Sequence, residues 1–135
     1  MRTQFVVSAL LILSFSVTAF ATSPASSSTV NWQKAEQNYK ASLYSENVGV
    51  RASAAGFIGE YRLKGATQDL ITILHTDKVE RNRMAAAKAL VRIGDRDAID
   101  AVKEAVIYDG SATVAQYCKQ LLESTQSTND MSLKN

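Results

Sequence analysis

The sequence predicts an all-α fold, a short right-handed solenoid of helical hairpins with a period of 32 residues. Three observations point there. The chain has 135 residues, 46% of them apolar, and a single proline. Alanine-rich, proline-poor sequence favours helix, because alanine loses no side-chain entropy in a helix and proline breaks one. The chain is also internally self-similar. Arg51, Ala54, Ala55, Ala66 and Asp77 recur at one common offset, without a gap, as Arg83, Ala86, Ala87, Ala98 and Asp109. The apolar positions keep the same register: Ile58 with Leu90, Tyr61 with Ile93, Leu70 with Val102 and Leu74 with Val106. Within each unit the apolar residues fall at helical spacing, in two runs separated by turn residues.

The elements follow in order. Arg2, an apolar run from Phe5 and the small-x-small triplet Ala19-Phe20-Ala21 have the layout of a cleavable export signal over residues 1–21, cut after Ala21. The run from Phe5 to Ala21 is at or below the roughly 17–25 residues a membrane span needs. Residues 22–30, rich in serine and threonine, read as a flexible linker. The repeat domain is expected over 31–123 and a disordered tail over 124–135. A first helix from about Val30 to Leu43 carries Trp32, Ala35, Tyr39 and Leu43 on one stripe and covers the end of the stack. The first full unit has helices near 47–62 and 66–75, with a turn at Lys64-Gly65. In the second unit Asp77-x-x-Glu80 resembles a capping box, and the helix runs to Ile93. Gly94 suits a left-handed stop, and Asp95 or Asp97 caps the next helix. That helix buries Ala98, Ile99, Val102, Ala105 and Val106. A third unit opens at Ser111, with Val114, Cys118, Leu121 and Leu122 inward, and stops after one helix.

The runs Val50-Arg51-x-x-Ala54-Ala55-x-Phe57-Ile58 and Arg83-x-x-Ala86-Ala87-x-Ala89-Leu90-x-x-Ile93-Gly94-Asp95-x-x-Ala98-Ile99-x-x-Val102 resemble HEAT repeats. They are similar to the short HEAT-like type also seen in phycobilin lyases. The resemblance covers about residues 47–122. The first unit departs from the pattern, with Arg62-Leu63 where a Gly-Asp turn would fall, and the arginine position of the third unit is Ala115. The resemblance implies a scaffold, and a fold of this kind leaves function open. It also implies that Arg51 and Arg83 pair with an aspartate in a neighbouring turn, making Asp77 and Asp109 cap or pairing residues.

Composition and motifs exclude several function classes. The formal net charge is +2, and loss of Arg2 with the signal leaves +1, too little for a nucleic-acid surface. The single cysteine, Cys118, rules out a disulfide within one chain and a multi-cysteine zinc site. It matches Ala86 in register, so it reads as a small core residue. The single histidine, His75, lacks the companion ligands a metal needs, and iron-dependent hydroxylases built on HEAT repeats use several His-Glu pairs that this chain lacks. No phosphate loop or nucleophilic triad appears, and no cofactor is expected. Gly56 and Gly59, inside a helix, read as sites of close helix contact.

Two candidate partner-binding faces remain. Arg81, Lys88 and Arg92 share the outer face of one helix and, with Lys78 and Arg96, form the most basic region. A solvated face is the plainer reading, and a docking surface for an acidic partner or lipid headgroups the sharper one. The second helices, which by resemblance line the concave side, offer Thr67, Gln68, Ile71, Thr72, Asp100, Lys103 and Glu104. The expected function is a non-catalytic, exported protein-binding adaptor or scaffold, in a bacterial periplasm or, alternatively, secreted. Its partner would be a protein, with no nucleic acid and no stable membrane insertion after cleavage. Self-association is expected too, since two repeats with partial ends leave end surfaces poorly covered. An inhibitor or regulator of an envelope or secreted enzyme is the alternative. A chromophore-lyase-like enzyme is the alternative of another class, and the export signal counts against it.

Overall fold

The computed structural model describes residues 29–132, with side chains to residue 127, so the expected signal peptide and most of the linker lie outside the described residues. These residues form helices and no strand. The helices are α1 (Trp32–Ser42), α2 (Val48–Glu60), α3 (Thr67–Thr76), α4 (Glu80–Ile93), α5 (Arg96–Tyr108) and α6 (Ala112–Ser132), with a 3₁₀ turn at Lys64–Ala66 leading into α3. α2 with α3 and α4 with α5 make two hairpins, and α6 is the first half of a third. The first helices pack in sequence, α2 on α4 and α4 on α6, while α3 packs on α5. The core between the two rows is built from the repeated positions: Ala54, Ala55, Ile58, Leu70 and Leu74 of one unit, and Ala86, Ala87, Leu90 and Val102 of the next. Val114 and Cys118 of α6 close it. Alanine at the paired positions lets the first helices approach closely, and the larger residues fill the space between rows. Ile99 and Val106, expected inside, are only partly buried; Ala101 lies deeper.

The two glycines of α2 play different parts. A Cβ on Gly59 would lie 2.6 Å from the Cα of Ala89 on α4. Gly59 therefore permits the close contact of α2 and α4. Gly56 faces open space and permits no such contact, contrary to the sequence expectation.

The helix ends correct the sequence reading in three places. Asp77 does not form a capping box with Glu80. Val79 is the N-cap of α4 and offers no side-chain bond. The Asp77 carboxylate accepts instead from the Val79 N–H, from Asn82 and from Arg51. The forked guanidinium engages both carboxylate oxygens, which fixes the side chain away from the start of α4. The second correction concerns the first unit's turn. Arg62, in register with Gly94, takes the same left-handed conformation, φ 49° against 72°. Leu63 N–H donates to Ile58 C=O (3.0 Å) and Arg62 N–H to Gly59 C=O (3.3 Å), the bond pair of a Schellman motif. At Gly94 a single bond to Leu90 C=O suffices. The turn is kept where the glycine is lost. Third, α6 does not stop at 123: the expected disordered tail is helical to Ser132. Residues 124–132 contain no proline or glycine to break the helix, and the hydroxyls of Ser124 and Thr125 bond back to Leu121 C=O. Asp95 caps α5 as expected, accepting from Ala98 N–H at 2.8 Å.

α1 is held differently from the expected stripe. Only Leu43, just beyond its end, is fully buried. Ring contacts of Trp32 and Tyr39 with α2 and a set of polar ties add to it. Lys40 Nζ donates to Gly65 C=O and pairs with Asp69, and Tyr44 Oη donates to Asp69 at 2.9 Å. α1 thus leaves part of its aromatic face uncovered.

Candidate partner-binding faces

A polar seam runs through the stack. Arg51 Nε and Nη2 contact the two carboxylate oxygens of Asp77 at 2.7 and 3.2 Å, and Arg83 makes the same fork with Asp109 at 2.9 Å for both bonds. The remaining donor turns the other way: Arg51 Nη1 to Ser45 C=O, and Arg83 Nη1 to Asp77 C=O. Ser45 thus occupies, one period earlier, the position of Asp77 and Asp109. In all three loops the side-chain oxygen accepts the N–H two residues on. Sequence reading missed Ser45, although the common offset marks it. Burial pushes the Asp77 and Asp109 carboxyls up, but the arginine and backbone N–H donors, together with Asn82 at Asp77, outweigh it and hold both below the usual aspartate value. Every Arg83 nitrogen donates in this seam, which ties successive units together.

The face of the first helices is chemically open. Two hollows of about 280 and 400 Å³ adjoin at Ser53 and Phe57: the first is a groove between α2 and α4, and the second lies between α1 and α2 with Arg81 of α4 at its edge. Lys88 and Arg92 line the first. Arg62 lies beside Arg92 at the far end. Among the described residues none of these four cations forms an ion pair. Next to the groove, α1 and α2 present a strip of rings in contact, stacked from Tyr39 to Tyr61 and tilted at Trp32. Tyr39 packs on Phe57 with centroids 5.4 Å apart, Phe57 on Tyr61 at 6.5 Å, and Tyr61 on Trp32 at 4.8 Å. Trp32, Phe57 and Tyr61 are 48, 43 and 45% exposed.

The face of the second helices is more polar and largely self-paired. Asp100 accepts from Lys103 at 2.9 Å and lies 3.8 Å from Arg96. The Lys103 bond, reinforced by nearby positive charge, lowers the Asp100 pKa. Arg96 therefore belongs with this face, and not with the basic group of α4. Gln68 and Thr72 are exposed on α3, and Thr72 bonds back to Gln68 C=O. Thr67 Oγ1 donates to the Asp95 carboxylate and ties α3 to the start of α5. A cavity of about 420 Å³ at the ends of α3 and α5 is lined by His75, Glu104, Tyr108 and the Arg83–Asp109 pair. Among the described residues no cluster of His, Cys, Asp and Glu could hold a metal ion, and no helix is long and apolar enough to cross a membrane. Cys118 is fully buried in the core, and burial, with the nearby Asp109 charge, raises its thiol pKa to about 11.

A family model for HEAT repeats matches residues 38–123, well over half of the chain. The chain belongs to the HEAT-repeat family. The match takes in both hairpins whole and ends within α6. No curated protein matches the chain closely enough to carry a function across. In HEAT terms, α2, α4 and α6 are first helices and α3 and α5 second helices. The candidates fall on both rows: Arg81, Lys88 and Arg92 on a first helix, Gln68, Thr72, Arg96, Asp100, Lys103 and Glu104 on second helices. HEAT repeats are helical scaffolds that commonly mediate protein–protein interaction, and Gly94, Arg51, Arg83, Asp77 and Asp109 build the scaffold in this one.

Proposed function

We propose that this chain is an exported, non-catalytic protein-binding adaptor that works in the periplasm. The observation that carries the binding reading is the strip of nearly half-exposed Trp32, Tyr61 and Phe57, joined to Tyr39, beside cations that form no ion pair among the described residues. Tryptophan, tyrosine and arginine are the residues that most often dominate interface energies. A strip of rings left in water gains by being covered, at about 25 cal/mol per Å² of apolar surface. The export reading rests on the three-part layout of residues 1–21. The absence of a catalytic role rests on the chemistry of the side chains: the titratable groups along the seam are paired with one another, and the one thiol is buried.

Crosslinking in the native envelope, followed by mass spectrometry, tests this reading. One dominant protein partner, and a chain whose N-terminus is Thr22 in the periplasmic fraction, are the expected results. Recovery of the chain alone, crosslinked to its own copies, would replace the adaptor with a self-assembling component. A chain that retains Met1 in the cytosol would end the export reading. A partner enzyme whose activity falls on stoichiometric addition would make the chain an inhibitor.

A further inference from the structure

We infer that the groove between α2 and α4, continued past Phe57 into the hollow beside α1, binds an acidic, amphipathic segment of the partner protein, its carboxylates facing Arg81, Lys88 and Arg92 and its apolar side chains facing Phe57. This rests on the reading of the chain as a protein binder and goes on to name the surface and the chemistry of what it takes.

The shape comes first. The floor of the groove is made of small residues, Ser53 and Gly56 from α2 with Ala85 and Ala89 from α4, so a backbone can approach closely. A Cβ on Gly56 would meet nothing within 4 Å, and that emptiness lies on the groove side of α2. Arg81 and Arg92 stand at opposite ends of the same helical stripe. At 1.5 Å per residue they are about 16 Å apart along the axis, the length of roughly three helical turns of a ligand. Phe57 borders both hollows and can anchor a side chain from either.

The charge selects the occupant. Arg62, Arg81, Lys88 and Arg92 line the groove and its far end, against Glu60 alone on the acidic side. The other described arginines are paired: Arg51 and Arg83 face aspartates in the seam, and Arg96 lies beside Asp100. A row of cations beside aromatic rings favours carboxylates through Coulomb attraction and apolar side chains through burial. The chain's own N-terminal segment does not suit the site, because residues 1–30 contain no aspartate or glutamate. The proposed occupant is accordingly a segment of another protein, and crosslinking of the chain to its own copies through this groove would overturn it.

The test uses the full chain and a displayed library of random peptides. The selected peptides should be rich in Asp and Glu, with apolar residues three or four positions apart. Trp32, the single tryptophan, lies at the edge of the aromatic strip, and its emission should shift on binding. Affinity should fall about tenfold or more in the Arg81→Glu, Lys88→Glu, Arg92→Glu triple variant, as expected when several facing charges are reversed, and also in Phe57→Ala. It should hold in Asp100→Lys with Glu104→Lys, and weaken as salt is raised. The three cations are exposed and form no ion pair among the described residues, so the triple variant should keep its helical circular dichroism. Selected peptides without acidic excess, or binding that survives the triple reversal, would overturn the inference. So would anionic phospholipid vesicles binding with the same residue dependence while peptides do not. If the native partner still crosslinks to the triple variant, the groove assignment fails while the adaptor reading stands. If no partner crosslinks to the unaltered chain, both fail.

Discussion

Gly56 and Gly59 lie one turn apart on α2, and replacing each with alanine should move stability in opposite directions. Alanine favours a helix interior over glycine by about 1 kcal/mol. At Gly56 nothing lies within 4 Å of the added Cβ, so that gain is kept whole. At Gly59 the Cβ would meet the Ala89 Cα at 2.6 Å and its Cβ at 2.9 Å. The Cα is backbone, and it can withdraw only if α4 shifts away from α2. Overpacking of this kind costs typically about 1–3 kcal/mol. In a helix pair held by alanines the shift loosens many contacts, so the upper half of that range applies. After the propensity gain, Gly59→Ala should lose about 1–2 kcal/mol. For a domain of this size about 1 kcal/mol moves the melting midpoint by roughly 4–8 °C. Thermal and urea unfolding followed by circular dichroism would read a midpoint about 5 °C higher for Gly56→Ala and clearly lower for Gly59→Ala. Two shifts of the same sign would refute the claim that α2 and α4 meet at Gly59.

Arg62→Gly should stabilise the first unit by about 0.5–1 kcal/mol, because a non-glycine residue in the left-handed region carries about 1–2 kcal/mol of strain, and the glycine returns part of that as unfolded-chain entropy; an unchanged or lower urea midpoint would count against the Schellman turn. Arg83→Ala should cost about 3 kcal/mol, since it leaves the Asp109 carboxylate buried and uncompensated, and a loss within the range of surface pairs would deny the seam its role. The folded pKa values of Asp77 and Asp109 lie below their unfolded value of about 3.9. The stability they contribute is therefore full above about pH 5 and disappears as pH falls through that value and then through the folded ones. The gap in urea midpoint between the native chain and Asp109→Asn should be wide at neutral pH and narrow toward pH 3; a constant gap would show that the carboxylate charge is not what stabilises. Cys118, buried and with its pKa raised to about 11, should react with a thiol reagent at neutral pH only as fast as α6 lifts from the core; labelling on mixing would place it outside.

The period was legible because it is written in residues with one structural reason each: alanines where helices meet, arginine and aspartate at the seam, glycine at a left-handed turn. It was less legible where the same backbone is reached by other means. Arg62 hides the first turn because the Schellman bonds, and not the residue type, keep it. Ser45 hides the first seam position because a hydroxyl replaces a carboxylate. At Asp77 the pairing with arginine that the family resemblance implied is present, 26 residues away in the chain, but the local pattern that suggested a capping box with Glu80 misled. The stripe of α1 failed for a related reason: helical spacing names a face but not a neighbour to cover it. For the binding faces, spacing alone aligned Arg81, Lys88 and Arg92. It took the packing of α2 on α4 to set Phe57 and Ser53 opposite them. The turn at Gly94 carries Arg96 away to the other row.

The seam also bears on how so short an array can unfold. A stack of repeats behaves as a one-dimensional chain of units, each with its own stability and a coupling to its neighbours. With two hairpins and partial ends, most of the stability lies in the couplings. Each arginine fork grips a loop that opens the following unit, and at Asp77 that loop's carbonyl in turn accepts from the following arginine, Arg83. Melting one hairpin therefore releases a clasp on its neighbour. The chain should come apart in one cooperative step, and the boundary between folded and unfolded units should find no favourable place to rest inside it.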